Sequence, residues 1–358
     1  MDKRLLMAEH RYGNTASRAL GATLCGWDVQ WVEPYWTEGC GRIRRSAQFR
    51  ARTGPDIISW NRAIIHAVEK FNPTVLWAES PLFIFPSTLD EVKLRYGTLA
   101  ICAYSDDPRD PAKQSRHFEK GKLFYDIIFT TKDELLLQLR TEGVKCIEKF
   151  WKGFDPERIT RLSLNTDEQR QWQSDLLFVG HIDRVGRVSA RQSAFERLAV
   201  DIPNFALYGA SWGKLNVSEK LRSCIRPYQL DGIDYVRAIR ASKIALQLPS
   251  RLARDTHSSR SVEIPACGTM LLAERTVDHL ILFEEDKEAV FFSCYDELVD
   301  KARFYIKADA ARERIADAGF RRCQERGYSN YTRMKQMLAT VERFYERAWV
   351  DECCGSDQ

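Results

Sequence analysis

Residues 258–261, Ser-Ser-Arg-Ser, carry the side chains that are most readily matched to a chemical task. Their hydroxyls and the guanidinium of Arg260 stand just before a predicted helix that carries Glu263. Phosphate groups bind to backbone N–H groups at the start of a helix and to arginines, which can bridge two phosphate oxygens. The segment therefore fits a phosphate site formed by Ser258, Ser259 and Arg260. An ordinary helix start with a surface arginine gives the same pattern.

Glycines follow two predicted strands in the second half of the chain. Gly180-His181 follows the apolar run 175–179 and precedes Arg184, and Gly209 follows the run 205–208. A glycine there lets a phosphate approach the backbone closely, and Arg184 offers a positive charge to neutralise it. A structural turn requires the same glycines, so both interpretations stay open.

Two more positions near these segments are candidates for ligand contacts. Trp212 either lines a nucleobase pocket or packs in the core. Gly268 and Thr269 follow Pro265, which ends or kinks the helix of Glu263. The glycine permits a positive φ and a close approach of the backbone to a ligand, or simply a turn from helix to strand.

The first half of the chain offers a second group of candidates. His10 is a candidate acid or base, or positions a hydroxyl, because imidazole titrates near neutral pH. Gly13 and Asn14 open the first predicted helix and leave room for an acceptor or a phosphate. Asp106 and Asp107 end a predicted strand, where they either bind acceptor hydroxyls, serve as a base, or cap the following turn.

These candidates fall between apolar runs that alternate with helical patterns. Such alternation predicts βαβ units and parallel sheets, whose ligands bind beyond the carboxyl ends of the strands. A polar linker at 149–173 separates two series, so we expect domains at 1–160 and 161–335, and a helical tail at 336–358 that packs back on the first domain. The predicted strands lie at 5–8, 28–32, 75–78, 99–104 and 125–130 in the first half, and at 175–180, 205–209, 243–248, 269–273 and 289–292 in the second.

The composition fits two domains. The chain has 358 residues, more than one typical core accommodates, and no run of about 18 apolar residues that could span a membrane. Its start lacks the small-residue cleavage site of a signal peptide, which predicts a cytoplasmic protein. The ten cysteines form no Cys-x-x-Cys pair and no zinc-ligand spacing, so we expect free thiols in a reducing compartment.

The overall charge is mildly positive. A formal net charge of +4 does not indicate a dedicated nucleic-acid binder, which carries a strong basic face. Arginines nevertheless cluster in the segment Arg42–Arg52. This segment is either solvated and mobile, or it contacts an anionic acceptor or the surface of a membrane.

A resemblance to a known family rests on residues 254–275, RDTHSSRSVEIPACGTMLLAER, with further motifs at 279–284, 288–292 and 295–298. These segments strongly resemble the C-terminal domain of GT-B glycosyltransferases of the CgeB-like (spore maturation protein) group, a domain of the glycosyl transferases group 1 type. The resemblance covers about residues 175–337. In the first half it rests on 106–108, Asp-Asp-Pro, and 153–156, Gly-Phe-Asp-Pro.

This resemblance implies an α/β protein with two Rossmann-like, doubly wound domains that face a central cleft. It also implies transfer of a sugar from a nucleotide-diphosphate sugar to an unidentified acceptor. Retaining GT-B enzymes carry an acidic residue, seven further residues and a glutamate, and Asp255 and Glu263 stand at this spacing. Glu263 would accept hydrogen bonds from the donor ribose. Asp255 or a neighbour such as His257 would lie near the transferred sugar, and Tyr228 near the base.

No Asp-x-Asp triplet occurs, so we expect no obligatory metal and no cofactor other than the nucleotide sugar. Cationic side chains and helix dipoles would stabilise the leaving diphosphate instead. No residue forces inversion, so we expect retention of configuration. The alternative is a catalytically inactive GT-B-like binding or scaffold protein. A Rossmann oxidoreductase would need Gly-x-Gly-x-x-Gly after the first strand, and residues 9–14 offer only Gly13.

Overall fold

The computed structural model describes residues 1–34, 41–79, 81–111, 113–181, 184–185, 188–189, 191–210, 212–226 and 229–354, with the backbone alone at 184–185, 188–189 and 348–354. The chain forms two compact units. The first contains Met1–Trp151 and the C-terminal segment from Asn330, and the second contains Lys152–Ser329. The boundaries predicted at 160 and 335 are therefore displaced. Residues after Trp151 belong to the second unit because the Phe154 N–H donates to the Tyr328 carbonyl over 3.1 Å.

The first unit is built on one sheet of six parallel strands, in the order β2-β1-β3-β4-β5-β6. The strands are β1 (Arg4–Met7), β2 (Asp28–Trp31), β3 (Val75–Ala78), β4 (Leu99–Tyr104), β5 (Ile127–Thr130) and β6 (Ile147–Lys149). The helices are α1 (Gly13–Leu24), α2 (Arg42–Ala51), α3 (Pro55–Phe71), α4 (Pro86–Tyr96), α5 (Arg116–Gly121) and α6 (Asp133–Thr141), with α15 (Asn330–Cys354) added from the end of the chain.

Both faces of this sheet are covered, as the alternation of side chains along a strand requires. Leu6 and Leu76 pack in the cluster that contains Trp60 and Ile64 of α3. Leu5 points to the opposite face, and its cluster contains residues of α1 and α15. The C-terminal helix therefore completes the core of the first unit.

The local sequence explains the helix α3. Pro55 occupies the first turn, where a missing N–H costs no hydrogen bond, and Asn72 ends the helix in the left-handed region with φ 48°. Ile57, Ile64 and Val68 lie on one face at helical spacing and are buried. Burial of each such side chain contributes about 1.5–3 kcal/mol, which fixes the helix against the sheet.

The second unit has a sheet of five parallel strands in the order β10-β7-β11-β12-β13, and a two-stranded hairpin β8-β9. Its strands are β7 (Ser174–Val179), β8 (Arg184–Val185), β9 (Val188–Ser189), β10 (Phe205–Tyr208), β11 (Ser242–Gln247), β12 (Met270–Glu274) and β13 (Val290–Phe292). Its helices are α7 (Thr166–Trp172), α8 (Gln192–Asp201), α9 (Glu219–Cys224), α10 (Gly232–Ala241), α11 (Arg260–Ala266), α12 (Val277–Leu282), α13 (Tyr295–Lys307) and α14 (Asp309–Glu325). None of the helices in the described part of the chain is long and apolar enough to cross a membrane.

Two segments differ from the sequence prediction. The basic segment 42–52 was considered as a mobile stretch, but most of it forms α2, in which Gln48 is buried and donates to Asp56. The predicted linker 149–173 contains α7, which begins with a capping box of Asn165 and Glu168. Both helices are short and polar, so hydrophobic periodicity gave no signal for them.

The contact between α1 and α15 generates a stability prediction. A Cβ atom added at Gly21 in α1 would lie 2.8 Å from the Cα of Tyr331 in α15. A glycine inside a helix normally makes the protein less stable than an alanine at the same position would. Here we expect Gly21→Ala to lower the free energy of unfolding by about 1–3 kcal/mol, because two backbones must separate. Urea denaturation measures it, and Gly213→Ala, with nothing within 4 Å of the added Cβ, is the control. An unchanged or raised stability of the Gly21 variant would contradict this packing.

Candidate functional site

The carboxyl of Glu263 is held at the carboxyl edge of the second sheet. It lies in the first turn of α11, which follows the long loop after β11. The Tyr235 hydroxyl from the first turn of α10 donates to Glu263 Oε2 over 2.7 Å. Burial raises the pKa of Glu263, while the Tyr235 bond and the charges of Arg260 and Arg158 oppose that shift. The other oxygen of Glu263 remains available to accept a hydrogen bond from a ligand hydroxyl.

Arg260 begins α11, three residues before Glu263. Its Nε atom is buried and has no hydrogen-bond acceptor within the part of the chain that the structure describes. Buried donors in proteins almost always have a partner, and an unsatisfied one costs about 1–3 kcal/mol. The Nε–H of Arg260 is thus a donor that the described residues leave unsatisfied, and an anion is one group that could accept from it.

His257 precedes this pair and is held on both ring nitrogens. Its Nδ1 lies 2.8 Å from Asp278 Oδ2, and its Nε2 lies 3.2 Å from the backbone nitrogen of Lys152. A backbone N–H only donates, so Nε2 accepts and Nδ1 carries the proton. His257 is 1% exposed. It therefore positions the loop, and the expectation that it contacts the donor is corrected.

The serines of the loop differ in their roles. Ser258 accepts a hydrogen bond from Gln247 Nε2 at the end of β11, over 3.1 Å. Ser261 bonds to the Ser258 N–H and to His279 Nε2. Burial lowers the pKa of His279 to about 4, which keeps the ring neutral. Ser259 stands directly before α11 and makes no side-chain cap. The loop is thereby fixed in one conformation by buried hydrogen bonds.

Asp255 lies at the start of this loop, after a residue in the left-handed region, Arg254 with φ 47°. Its backbone N–H donates to the Ser250 carbonyl over 2.9 Å, and its carboxylate lies 3.8 Å from the Lys152 ammonium. The Lys152 ammonium therefore faces Asp255, the acidic residue eight positions before Glu263. The sequence does not indicate this partner, because Lys152 lies about a hundred residues before Asp255 in the chain.

The glycines at two strand ends serve close backbone packing. Gly209 has φ 147°, and a Cβ there would lie 1.9 Å from the Gly180 carbonyl oxygen. A Cβ at Gly180 would lie 2.8 Å from the Phe178 ring. Trp212 is fully buried and donates from Nε1 to the same Gly180 oxygen over 2.7 Å. The hypothesis that Trp212 lines a nucleobase pocket is therefore wrong, and the alternative of core packing holds.

Gly268 and Thr269 lie away from Glu263. They directly precede β12 and so sit at the amino edge of the sheet, where they line a cavity of about 400 Å³ beside Arg161 and Arg240. Gly268 has φ 74°, and Thr269 is buried and donates to the Ile239 carbonyl over 3.0 Å. Their predicted contact with a donor is corrected to the turn between helix and strand.

Three other predicted residues complete the second unit. His181 is exposed, and its carbonyl accepts from Arg191, which also donates to the carbonyls of Leu248 and Pro249. Arg191 thus ties the loops after β7 and β11 together. The structure describes only the backbone of Arg184, in β8, and Tyr228 lies outside the described residues.

The first unit holds a cavity of about 580 Å³ at the carboxyl ends of β1 and β3. Glu9 and His10 follow β1 and line it. Burial, reinforced by the charge of Glu79, raises the pKa of Glu9 to about 7, and burial lowers the pKa of His10. His10 is a candidate acid or base from its residue type alone, whereas Glu9, which follows the same strand, is recognised only from its burial in the structure. The wall is completed by Tyr12, Pro34, Arg42, Arg45, Ser46, Phe49, Arg50, Trp60, Leu82, Phe83 and Lys113.

The remaining candidates of the first unit have internal partners. Asp107 is 1% exposed and accepts from both Nε and Nη2 of Arg109. Its predicted contact with acceptor hydroxyls is therefore corrected to a structural one. Asp106 lies 2.7 Å from Lys113 of the cavity wall.

The start of α1 is also structural. Gly13 takes φ 57° in the first turn of α1, a backbone that favours glycine. Asn14 accepts from Asn330 Nδ2 of α15 over 3.0 Å. Gly13 thus begins α1 and Asn14 links it to α15, while their expected contact with an acceptor stays a prediction. No group of three or more His, Cys, Asp or Glu side chains that could hold a metal ion occurs among the described residues.

Comparison with known proteins gives one family match. A family model described as glycosyl transferase-like matches residues 187–339, which include Tyr235, Arg260 and Glu263. Comparison with curated protein sequences gives no match. The second unit is therefore similar to a glycosyl transferase-like domain over most of its length, and the match ends within α15 of the first unit. The finer resemblance to the CgeB-like group stays a prediction.

Solved structures show the fold of the whole chain. Sucrose-phosphate synthase from Thermosynechococcus elongatus is 10% identical, with TM-score 0.68 over 96% of this chain and 100% of that one. HepE from Anabaena, in complex with UDP and glucose, is 11% identical, with TM-score 0.62 over 96% and 100%. A UDP-N-acetylglucosamine 2-epimerase (putative) from Listeria monocytogenes is 11% identical, with TM-score 0.57 over 96% and 97%. The expected GT-B fold, with two Rossmann-like domains, is confirmed.

Glu9 gives a pH prediction. Its pKa in the folded protein is raised from 4.5 to about 7, so the folded state binds the proton more tightly than the unfolded state. The stabilisation is present below pH 4.5 and is lost as the pH rises to 7. Glu9→Gln keeps a neutral group at this position at every pH. We therefore expect its free energy of unfolding, relative to that of the unaltered protein, to rise by about 2 kcal/mol as the pH is raised from 5 to 8.

Urea denaturation of both proteins at the two pH values measures this difference. Glu148→Gln, at an exposed position, is the control. We expect the difference in free energy of unfolding between this variant and the unaltered protein to be the same at both pH values. A constant difference for the Glu9 variant would show that the carboxyl is charged throughout.

Proposed function

We propose that this protein is a glycosyltransferase that moves a sugar from a nucleotide-diphosphate sugar to an acceptor, with retention of configuration and without an obligatory metal. Two features at the start of α11 carry the proposal. The Glu263 carboxyl lies in its first turn, and Nε of Arg260, three residues earlier, is buried and has no hydrogen-bond partner among the described residues. Both residues lie within the segment that matches the glycosyl transferase-like family.

The two side chains suit different parts of a donor. A carboxylate oxygen that is free of the Tyr235 bond can accept hydrogen bonds from the two hydroxyls of a ribose. The Arg260 guanidinium supplies fixed positive charge for a diphosphate, on which negative charge develops as the bond to the sugar breaks. HepE, which shares the fold, is described in complex with UDP-glucose. A nucleoside diphosphate is therefore the fragment to test first.

The remaining roles follow from the same proposal. Asp255, beside the Lys152 ammonium, lies next to the transferred sugar. In a retaining reaction the leaving diphosphate can take the proton of the acceptor hydroxyl, so no strong base is required. The acceptor binds in the cavity of the first unit, where His10 and Glu9 position its hydroxyls.

Nucleoside diphosphates should raise the melting temperature. A ligand at about 100 times its Kd adds roughly 2.7 kcal/mol of stability. We expect at least one of the nucleoside diphosphates UDP, GDP, TDP and CDP to produce a shift, which differential scanning fluorimetry measures. Glu263→Ala should abolish it, and Arg260→Gln should weaken binding at least tenfold, because each removes a contact to the donor.

Arg222→Gln is the matched control, since Arg222 is an exposed arginine on α9 of the same unit. No shift with any of the four nucleotides would refute the donor site. Binding without release of a sugar would identify an inactive binding protein. Because an epimerase shares the fold, chromatography of the products must separate a transferred or hydrolysed sugar from an epimerised nucleotide sugar.

Metal independence has its own test. Cationic side chains rather than a divalent ion would stabilise the diphosphate. We expect sugar release from the best nucleotide sugar to change less than about twofold in excess EDTA, which removes divalent ions from protein sites. A loss of activity that added magnesium or manganese restores would refute the metal-free mechanism.

A further inference from the structure

The helix α2 presents two chemically different faces. Arg44 and Gln48 bond to Asp56 at the start of α3, which anchors the helix. Arg42, Arg45 and Arg50 belong to the other face, at helical spacing i, i+3 and i+8, and all three line the cavity of the first unit. Side chains at these spacings share one side of a helix. The arginines are thus directed to the cavity as a group.

The guanidinium groups of these three arginines are not paired within the described part of the chain. No hydrogen bond or ion pair joins any of the three side chains to another described residue, whereas Arg44 on the opposite side is paired. Lys113 also lines the cavity and is paired with Asp106. Among the described residues of the wall the acidic group is Glu9, whose pKa of about 7 leaves it about half protonated at neutral pH and mostly uncharged at lower pH. The wall therefore carries an excess of positive charge.

Part of the cavity wall is apolar. Trp60, Leu82 and Phe83 are buried in the core, and they line the cavity. Phe49 of α2 is 42% exposed and lies 5.5 Å from the Phe83 ring, centroid to centroid. The Arg52 guanidinium lies over both rings, at 4.4 and 5.4 Å from their centroids. This arrangement holds Phe49 in place as an apolar surface beside the arginines.

We propose that the acceptor of this enzyme is a small amphiphilic anion, with a phosphate or carboxylate bound by Arg42, Arg45 and Arg50 and an apolar body against Phe49 and Phe83. The inference rests on the proposed function, in which the first-unit cavity binds the acceptor. The segment 42–52 was considered as a contact to a membrane surface. Three arginines that line a cavity with an apolar wall suit a small ligand better than a flat array of lipid headgroups.

The test uses four small probes on the full chain. Octyl phosphate and octanoate carry both an anion and an apolar body, octanol has only the body, and inorganic phosphate has only the charge. We expect isothermal titration calorimetry to show binding of at least one of the two amphiphilic anions, at least tenfold tighter than octanol or phosphate. The tighter of the two identifies phosphate or carboxylate as the anionic group.

Two double variants assign the arginines. Arg45→Gln with Arg50→Gln should weaken binding of the amphiphilic anion at least tenfold and leave binding of octanol within twofold. Arg62→Gln with Arg140→Gln removes the same charge from exposed positions of the same unit and should change neither. Both variants should keep the melting-temperature shift with the nucleotide, which confirms that they fold.

The outcomes separate the two proposals. If a nucleotide binds but neither amphiphilic anion does, the acceptor inference is wrong and the glycosyltransferase proposal stands. If an amphiphilic anion binds but no nucleotide does, the cavity is an anion site and the proposed function fails. If only vesicles containing phosphatidylserine bind, and the Arg45 and Arg50 variant abolishes this, the segment contacts a membrane and the inference is overturned.

Discussion

Parallel pairing of all strands in the two main sheets is the constraint on which the rest of the structure depends. Parallel strands all end at one edge, so every loop that follows a strand emerges there. In the first unit this edge gathers Glu9 and His10 after β1 and the wall residues after β3. In the second it gathers the loop before α11 and the Arg191 contacts to the loops after β7 and β11.

The hydrogen bonds at this edge distinguish residues that hold the site from residues that bind a ligand. His257, Asp107 and Trp212 are buried, and the protein itself satisfies their polar atoms. Removing their partners would leave buried groups unpaired, so their energetic role is internal. Arg260 differs, because its buried Nε finds no acceptor in the described parts of the chain. An arginine whose Nε–H lacks a partner, beside residues whose own hydrogen bonds hold the loop, suits a site for an anion.

The sequence predicted the fold well because its signals are local. Apolar runs and the helical patterns between them located ten strands, and all ten lie in the two parallel sheets. The short strand β6 and the hairpin β8-β9 were missed, since two or three residues give no periodicity. The helix α2 was missed because charged residues, rather than apolar ones, recur at helical spacing along it. Three arginines lie on the face toward the cavity, and Arg44 on the opposite face pairs with Asp56.

The site was less predictable, because what decides a role is the distant partner. Gly209 stands at a strand end in either interpretation, and only the position of the Gly180 carbonyl shows that packing requires it. The sequence likewise gave no reason to pair Tyr235 with Glu263 or Lys152 with Asp255. Single residues within a motif can be chosen from sequence, whereas their hydrogen-bond partners come from elements that the chain brings together only on folding.

Glu9 and Glu263 show how the same side chain acquires two different chemistries. Burial raises the pKa of both. Around Glu263 the Tyr235 hydroxyl and two arginines favour the charged form, which suits a carboxylate that accepts hydroxyl hydrogen bonds. Glu9 has the charge of Glu79 nearby, and the bond from the His10 N–H only partly compensates. When it is protonated, a carboxyl with a pKa near 7 can share a cavity with an anion without repelling it. The groups that oppose the effect of burial therefore differ between the two carboxyls, which suits them to the different roles proposed for them, Glu263 toward the nucleotide and Glu9 toward the acceptor.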